Sequence, residues 1–402
     1  MNVLVLTHRL PYAPNRGDRI RAYHLVRLLA RHMDVHVVSL VHDRNEREAA
    51  ASLRATGINV STALVPRLRN VIRAAAALPT ARPLTHVLLD SPQMKPALEQ
   101  AVRRRRPDAV LAYCSGVAPF ALARPLAGIP FVLDLVDVDS AKWSAFSESA
   151  SMMRRWIYDR EARCLGAFEA RAARAAVATT VVNDREAELV RRLAPEAEIH
   201  VVANGVDAES LRAIGAPTDD PQVIFTGVFD YAPNVEGALW FARHVWPAVR
   251  AAQPRAHLVL AGSSPAAAVR RLRHADPSIE ITGAVPDMRS YLWRSAIAIA
   301  PIFQARGIQN KVLEAAAAGL PCVVTPAVWH GLPDEALPAC LVAATSEEFA
   351  SAVVNLLSMT PGARRALASS APLAALSWEK RLTPLINLIA RAANRDLVAR
   401  AG

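Results

Sequence analysis

Short, nearly all-apolar runs alternate with amphipathic stretches along the whole chain. In the first half the apolar runs are NVLVLT (2–7), VHVVSLV (35–41), INVSTALV (58–65), DAVLAY (108–113), PFVLDLV (130–136), AVATTVV (176–182) and IHVVANG (199–205). Between the first two, apolar residues recur at helical spacing from about Asp18 to Arg31, through Ile20, Tyr23, His24, Val26, Leu28 and Leu29. Further helices are expected near 44–56, 92–106, 151–176 and 184–194. Strands without a polar face imply a parallel sheet covered on both sides.

The alternation pauses at NGVDAESLRAIGAPTDDP (204–221), which is polar and turn-rich. It restarts with QVIFTG (222–227), a helix over VEGALWFARHVWPAVRAA (235–252), HLVLAG (257–262), IEITG (279–283), the helical DMRSYLWRS, AIAIAP (296–301) and PCVVT (321–325). Helices near 346–358, 361–371 and 378–398 close the chain. The pattern predicts two doubly wound α/β domains facing a cleft, 1–205 and 206–377. The helix 378–402 is expected to pack back on the first. Ligands should meet the carboxyl ends of the strands.

The 402 residues are too many for one core and suit two domains. Cys114, Cys164, Cys322 and Cys340 are scattered, form no C-x-x-C, and fit a reducing compartment. The start, MNVLVLTHRLPYAP, lacks a basic leader and reads as a strand, so no signal peptide is expected. The longest stretch free of charge, Ala315 to Pro333, is broken by Gly319, Pro321 and Pro326, which argues against a membrane span. Net charge is +11, and residues 1–205 hold 29 Lys and Arg against 20 Asp and Glu. A basic first half points to an acidic partner, or simply to an arginine-rich composition with solvated side chains. No nucleic-acid module is recognisable and aromatics rarely interleave the basic stretches, so nucleic acid is not expected as a partner. No G-x-G-x-x-G occurs, which disfavours a dinucleotide oxidoreductase.

Four loops could carry chemistry. In PYAPNRGDRIRAYHL (11–25), Arg16 and Gly17 precede a helix whose N–H groups could receive an anion, with Arg19 and Arg21 adding charge. Exposed arginines at a helix start are the plainer alternative. In LDLVDVDSAKW (133–143), Asp134, Asp137 and Asp139 follow a strand. Metal ligation is one reading, but a single acid serving as base or hydroxyl acceptor fits better, so no metal is expected. In TGVFDYAPNVEGA (226–238), Gly227, Asp230, Tyr231 and Asn234 form either a simple turn or a substrate-facing loop. In ARGIQNKVLEAAAAGLP (305–321), Arg306, Gly307, Ile308, Gln309 and Asn310 lead into a helix ending at Gly319, the usual left-handed cap. Arg306 and Lys311 reinforce the positive helix start and suit a diphosphate, while Glu314 could accept hydrogen bonds from a ribose diol. Glu314 could equally complement the helix dipole, which would leave the clustered cations unexplained.

These stretches resemble the retaining, nucleotide-sugar-dependent glycosyltransferases of family four, of GT-B architecture. The resemblance rests on ARGIQNKVLEAAAAGLPCVVT, NGVD (204–207), TGVFDYAPNVEGALWF (226–241) and the closing SW (377–378). VDVDSAKW and RGIQNKVLEA are similar to the sugar transferases associated with exosortase/PEP-CTERM exopolysaccharide gene clusters. The resemblance implies that Glu314 is the second glutamate of the family's E-x7-E motif, the ribose ligand. The first would fall at Arg306. The family's Arg and Lys after the first strand of the second domain are missing, with Val228 and Pro233 near those places, and its His-Asp appears as VDVDS. Phosphate handling is then expected at Arg306, Lys311 and Gly17. The implied reaction is transfer of a sugar from a nucleoside diphosphate to an acceptor hydroxyl on a lipid-linked glycan, without cofactor. It would take place in the cytoplasm at the inner membrane face. A nucleotide-sugar epimerase of the same architecture is the rival. RLRNVIRAAAALPTARP (67–83), the arginines at 103–106 and MMRRWIYDR (152–160) mix basic and apolar residues and suggest contact with anionic lipid.

Overall fold

The structure is a computed structural model that describes residues 1–12, 17–148, 150–213, 215–305 and 308–401. The chain forms two compact units, Met1–Ala203 joined by the stretch from Arg381 onward, and Asn204–Lys380. The fold is α/β, with a parallel sheet in each unit.

The first unit holds β1 (Asn2–Thr7), β2 (Asp34–Val41), β3 (Asn59–Leu64), β4 (Ala109–Tyr113), β5 (Phe131–Val136), β6 (Ala178–Val181) and β7 (Ile199–Val201). Their order is 3-2-1-4-5-6-7. Val3, Leu4, Val5 and Leu6 are all buried, as are all five residues of β4. Helices on both faces account for strands with no polar side. The helix Trp378–Ala401 supplies Leu382, Leu385, Ile389, Ala392 and Ala393, all buried at helical spacing, and Arg391 reaches Glu198 beside β7.

The second unit holds β8 (Gln222–Thr226), β9 (His257–Ala261), β10 (Ile279–Gly283), β11 (Ile297–Ala300), β12 (Cys322–Val324) and β13 (Cys340–Val342), in the order 10-9-8-11-12-13. Strand order therefore reverses between β8 and β11, where open α/β sheets bind ligands. Within this unit the two chain crossings run side by side. Val206 N–H donates to Leu376 O at 2.8 Å, and Val206 bridges to Ser377. A Cβ on Gly205 would lie 2.6 Å from Trp378 Cα. The NGVD and SW motifs are the two sides of that crossing.

One expected element is different. The single helix 235–252 is three pieces: Ala232–Trp240, a π-turn Phe241–Val245, and Trp246–Ala252. Pro247 is the cause, since it has no N–H for the helix ladder and its ring crowds the preceding turn. The helix Asn310–Ala317 ends as its sequence says. Gly319 has φ 84, and Leu320 N–H reaches back to Ala315 O at 3.0 Å.

Candidate active site

In the second unit the candidate residues gather near the reversal point, at the ends of β8 and β9 and the start of the helix Asn310–Ala317. Gly227 and Gly262 follow the two strands, and Gly227 N–H donates to Ala261 O at 3.1 Å. Gly262 has φ 149, and a Cβ there would sit 1.8 Å from Gly227 O. The two loops pack backbone on backbone, and only glycine permits it. Phe229 N–H donates to Ser263 O at 2.9 Å, lacing them further.

Beneath Gly227 lies a polar pair. Asn234 is buried at the start of its helix; its Nδ2 donates to Val228 O at 2.8 Å, and its Oδ1 accepts from Lys311 Nζ at 2.7 Å. The Lys311 ammonium stands 4.7 Å from the centre of the Phe225 ring. A Cβ on Gly227 would approach Asn234 Nδ2 to 2.9 Å and Lys311 Nζ to 3.2 Å. Glycine thus lets the loop descend onto the cation. Loss of hydration pulls Lys311 down to about 7, with Glu314 acting in the opposite sense. Burial pushes Glu314 up to about 7, opposed by Lys311. The Glu314 carboxyl accepts no hydrogen bond from a described residue, and Asn310 Oδ1 is likewise buried without a described partner. Gln309 does not cap the helix with its side chain. Ile308, Gln309 and Asn310 are half-buried at this start, while Asp230 and Tyr231 are exposed on the β8 loop. Arg306 and Gly307 lie outside the described residues.

In the first unit the candidate residues gather after β4 and β5. Two non-glycine residues have left-handed backbones there, Cys114 with φ 71 and Val136 with φ 66. A β-branched side chain at positive φ is strained, and such strain collects at functional sites. It turns the chain so that Asp137 emerges half-buried. Lys142 Nζ lies 3.2 Å from Asp137 Oδ2 and 3.1 Å from Asp139 Oδ1. Ser115 Oγ donates to Asp139 Oδ2 at 2.6 Å. Two carboxylates from distant helices fasten this loop. Glu186 Oε2 accepts from Val138 N–H at 2.7 Å, and Glu169 accepts from Asp139 N–H at 3.0 Å and Ser140 Oγ at 2.5 Å. Burial pushes Glu169 up to about 8, against the pull of its hydrogen bonds from Ser140.

Several expected roles change. Arg21 does not face an anion: it is buried, with Nε 3.0 Å and Nη2 3.3 Å from the two oxygens of buried Asp134, which also accepts from Thr180 Oγ1 at 2.9 Å. Burial of a charge demands such a partner. Arg19 pairs with Glu46 at 2.5 Å, alongside Arg9 at 3.0 Å. Asp134 is therefore structural, and the three acids do not converge: two share Lys142 and the third belongs to Arg21. Gly17 begins the first helix, Gly17–His32, while Arg16 lies outside the described residues. Lys142, Ser115, Glu169 and Glu186, which contact this candidate loop, were not singled out from the sequence. Lys142 stands inside VDVDSAKW, five residues after Asp137, whereas the two glutamates gave no local signal.

Comparison with known proteins agrees with this layout. Residues 16–205 match the family model described as glycosyl transferase 4-like domain, and residues 220–359 match that of glycosyl transferases group 1. No curated protein matches the chain by sequence. Among solved structures, sucrose-phosphate synthase from Thermosynechococcus elongatus superposes with a TM-score of 0.65 at 16% identity, covering 100% of this chain and 98% of that one. HepE from Anabaena in complex with UDP gives 0.66 at 14% identity, covering 97% and 100%. WaaG, a glycosyltransferase involved in lipopolysaccharide biosynthesis, gives 0.62 at 15% identity, covering 100% of both. Both sheets thus share the GT-B fold of these enzymes. With one family model on each unit and most of the chain matched, the protein belongs to the glycosyltransferases of the group 1 and 4-like type.

Proposed function

We propose that the enzyme moves a sugar, with retention of configuration, from a nucleoside diphosphate onto an acceptor hydroxyl of a lipid-linked glycan. Exopolysaccharide or another cell-surface polymer is the product, assembled at the inner membrane face. The observation that carries the donor reading is the lysine held beneath two touching glycine loops, next to a helix start that the Gln309 side chain does not cap. A diphosphate needs close backbone approach, N–H donors and a nearby cation, and these supply all three. Anabaena HepE has been seen with UDP, with UDP and glucose, and with UDP-glucose, which supports a uridine diphosphate donor.

The acceptor oxygen attacks the anomeric carbon on the face from which the diphosphate leaves. The bond to the β-phosphate oxygen breaks, and that phosphate takes the acceptor's proton. Negative charge grows on the leaving group, so Lys311 and Arg306 act mainly on the transition state. Glu314 accepts from the ribose hydroxyls. Asp137, oriented by Lys142, binds a hydroxyl of the acceptor or of the donor sugar.

A thermal-shift panel of nucleoside diphosphates and their sugars tests the donor, since a bound ligand raises stability as RT ln(1 + [L]/Kd). No shift with any of them would overturn the reading. NMR of the product anomer tests retention, and rapid epimerisation of a UDP-sugar without acceptor would favour an epimerase instead. Glu314→Gln should weaken UDP more than its 2′,3′-dideoxy analogue; equal weakening would remove the ribose assignment.

A further inference from the structure

The helix Arg67–Ala77 is assembled inside out. Its one buried residue is polar, Asn70, whose Nδ2 donates to Leu88 O at 3.0 Å and Asp90 O at 2.7 Å. Its apolar stripe faces solvent instead: Leu68 is 78% exposed, Val71 58% and Ile72 65%, with Ala75 exposed one turn on. These positions are spaced i, i+3, i+4 and i+7, the spacing that ordinarily marks a core face. The exposure is built in. Arg160, from the helix Met152–Ala175, donates to Leu78 O at 2.8 Å, Ala77 O at 3.0 Å and Arg82 O at 2.8 Å. The neighbouring Glu161 accepts from Leu84 N–H at 2.7 Å and Thr85 N–H at 2.8 Å.

The same helix that holds this turn exposes its own apolar start. Met152 is 90% exposed, Met153 78% and Trp156 56%, all on the N-terminal side of Arg160 in the same helix. Phe146, on the preceding helix Asp139–Glu148, packs against Trp143 and Tyr158 and is also exposed. Around these side chains arginines outnumber acids: half-buried Asp90 pairs with Arg69 at 3.6 Å and with Arg73, and Asp159 lies 3.8 Å from Arg155, which leaves Arg67, Arg82 and Arg154 without a described acid partner. Residues 67–83 contain Arg67, Arg69, Arg73 and Arg82 and no acid, and residues 150–156 add Arg154 and Arg155 and no acid. Of these six only Arg73 is not exposed. Among the described residues no helix is long and apolar enough to cross a membrane.

We propose that the helix Arg67–Ala77 and the tip formed by Phe146, Met152, Met153 and Trp156 are the surface by which this chain lies on an anionic lipid bilayer. Apolar side chains standing out of an arginine-rich surface match the layered chemistry of a bilayer interface. Leucine, isoleucine, methionine and tryptophan enter the acyl boundary while the arginines meet phosphate headgroups. The inference rests on the glycosyltransferase reading only for its purpose, since the tip continues from the helix that starts at Asp139 and brings the lipid near Asp137.

Flotation with vesicles of phosphatidylglycerol and phosphatidylethanolamine, and with phosphatidylcholine alone, tests it. The wild-type chain should float with the anionic vesicles at low salt and be released at high salt. Leu68→Glu with Ile72→Glu, and separately Met153→Glu with Trp156→Glu, should each raise the lipid needed for half-binding about tenfold or more. Arg67→Gln with Arg154→Gln should reduce binding without placing any new charge on the apolar positions. The UDP thermal shift of every variant should stay at the wild-type value, which verifies folding. Absence of flotation, equal flotation with phosphatidylcholine, or unchanged binding by both glutamate pairs would overturn the proposal. So would a wild-type dimer that the glutamate pairs convert to monomer without any lipid binding. A UDP shift without flotation defeats the surface alone, and flotation without a UDP shift defeats the donor reading alone.

Discussion

The Lys311 ammonium donates to Asn234 Oδ1 at 2.7 Å, lies over the Phe225 ring, and has no described carboxylate within ion-pair distance. Removal from water without a full countercharge favours the neutral amine, and Lys311 is pulled down to about 7. In the proposed donor site an arriving diphosphate reverses that balance, since its oxygens supply the missing anion. The free enzyme at pH 8 therefore holds Lys311 largely neutral and the bound enzyme holds it charged, so binding takes up close to one proton. Affinity for nucleoside diphosphate should fall as pH rises from about 7, by at most one decade per pH unit, the limit for one proton. Calorimetry at pH 8 in buffers of different ionisation enthalpy measures the uptake directly, and Lys311→Met should abolish it. Glu314, pushed up to about 7, is already mostly ionised at pH 8 and does not confuse the reading. Wild-type binding with no uptake would mean that Lys311 does not meet the anion. Lys311→Ala should also lower kcat by roughly 10²-fold, the scale of losing one preorganised stabilising group.

The helices around Asp137 separate what sequence can convey from what it cannot. The all-apolar strands, the glycine after β8 and the Gly319 stop are local patterns with local causes, and each is legible from a few residues. VDVDSAKW, a candidate stretch in the sequence, follows the left-handed Val136 and holds the Asp137, Asp139 and Lys142 cluster. The π-turn at Phe241–Val245 was also locally encoded, by Pro247, although apolar periodicity concealed it. The clamp on the acidic loop is different in kind. Glu169 is 30 residues from Asp139, and Glu186 is 48 from Val138. Nothing near either glutamate distinguishes it from an exposed helix acid, so only the fold reveals that both face inward. Glu169 makes a testable contribution of its own. Its proton is held up to about 8 against an ordinary 4.5, so between those values the folded chain binds more protons than the unfolded one. Stability should therefore fall as pH rises from 4.5 through 8, by about 1.4 kcal/mol at most for each pH unit crossed and a few kcal/mol in all. Glu169→Gln keeps an acceptor for the Asp139 N–H and removes the titration. Denaturant unfolding from pH 5 to 8 should show most of that slope lost, and an unchanged slope would place the titrating group elsewhere.

At the scale of the whole molecule, residues 204–380 are inserted into the first unit, which recovers its last helix only from Arg381 onward. That helix brings Leu385 and Ile389, both fully buried, to a core whose strands ended at Val201. Closing so long a connection adds little entropic cost over a shorter one, because closure cost grows only with the logarithm of length. The first unit can therefore depend on a distant segment while the second folds around its own crossing at Val206 and Leu376. Damage to the terminal helix should then be felt in one unit and not in the other, despite its place in the chain. Leu385→Ala removes buried volume and should cost about 2–5 kcal/mol. Hydrogen exchange should quicken across β1 to β7, whose residues lie at least 184 positions earlier, while β8 to β13 hold their rates. The UDP dissociation constant should stay within about twofold of wild type, because β8, β9 and the helix Asn310–Ala317 belong to the inserted unit. Faster exchange spread evenly over both sheets would show that the two units unfold as one.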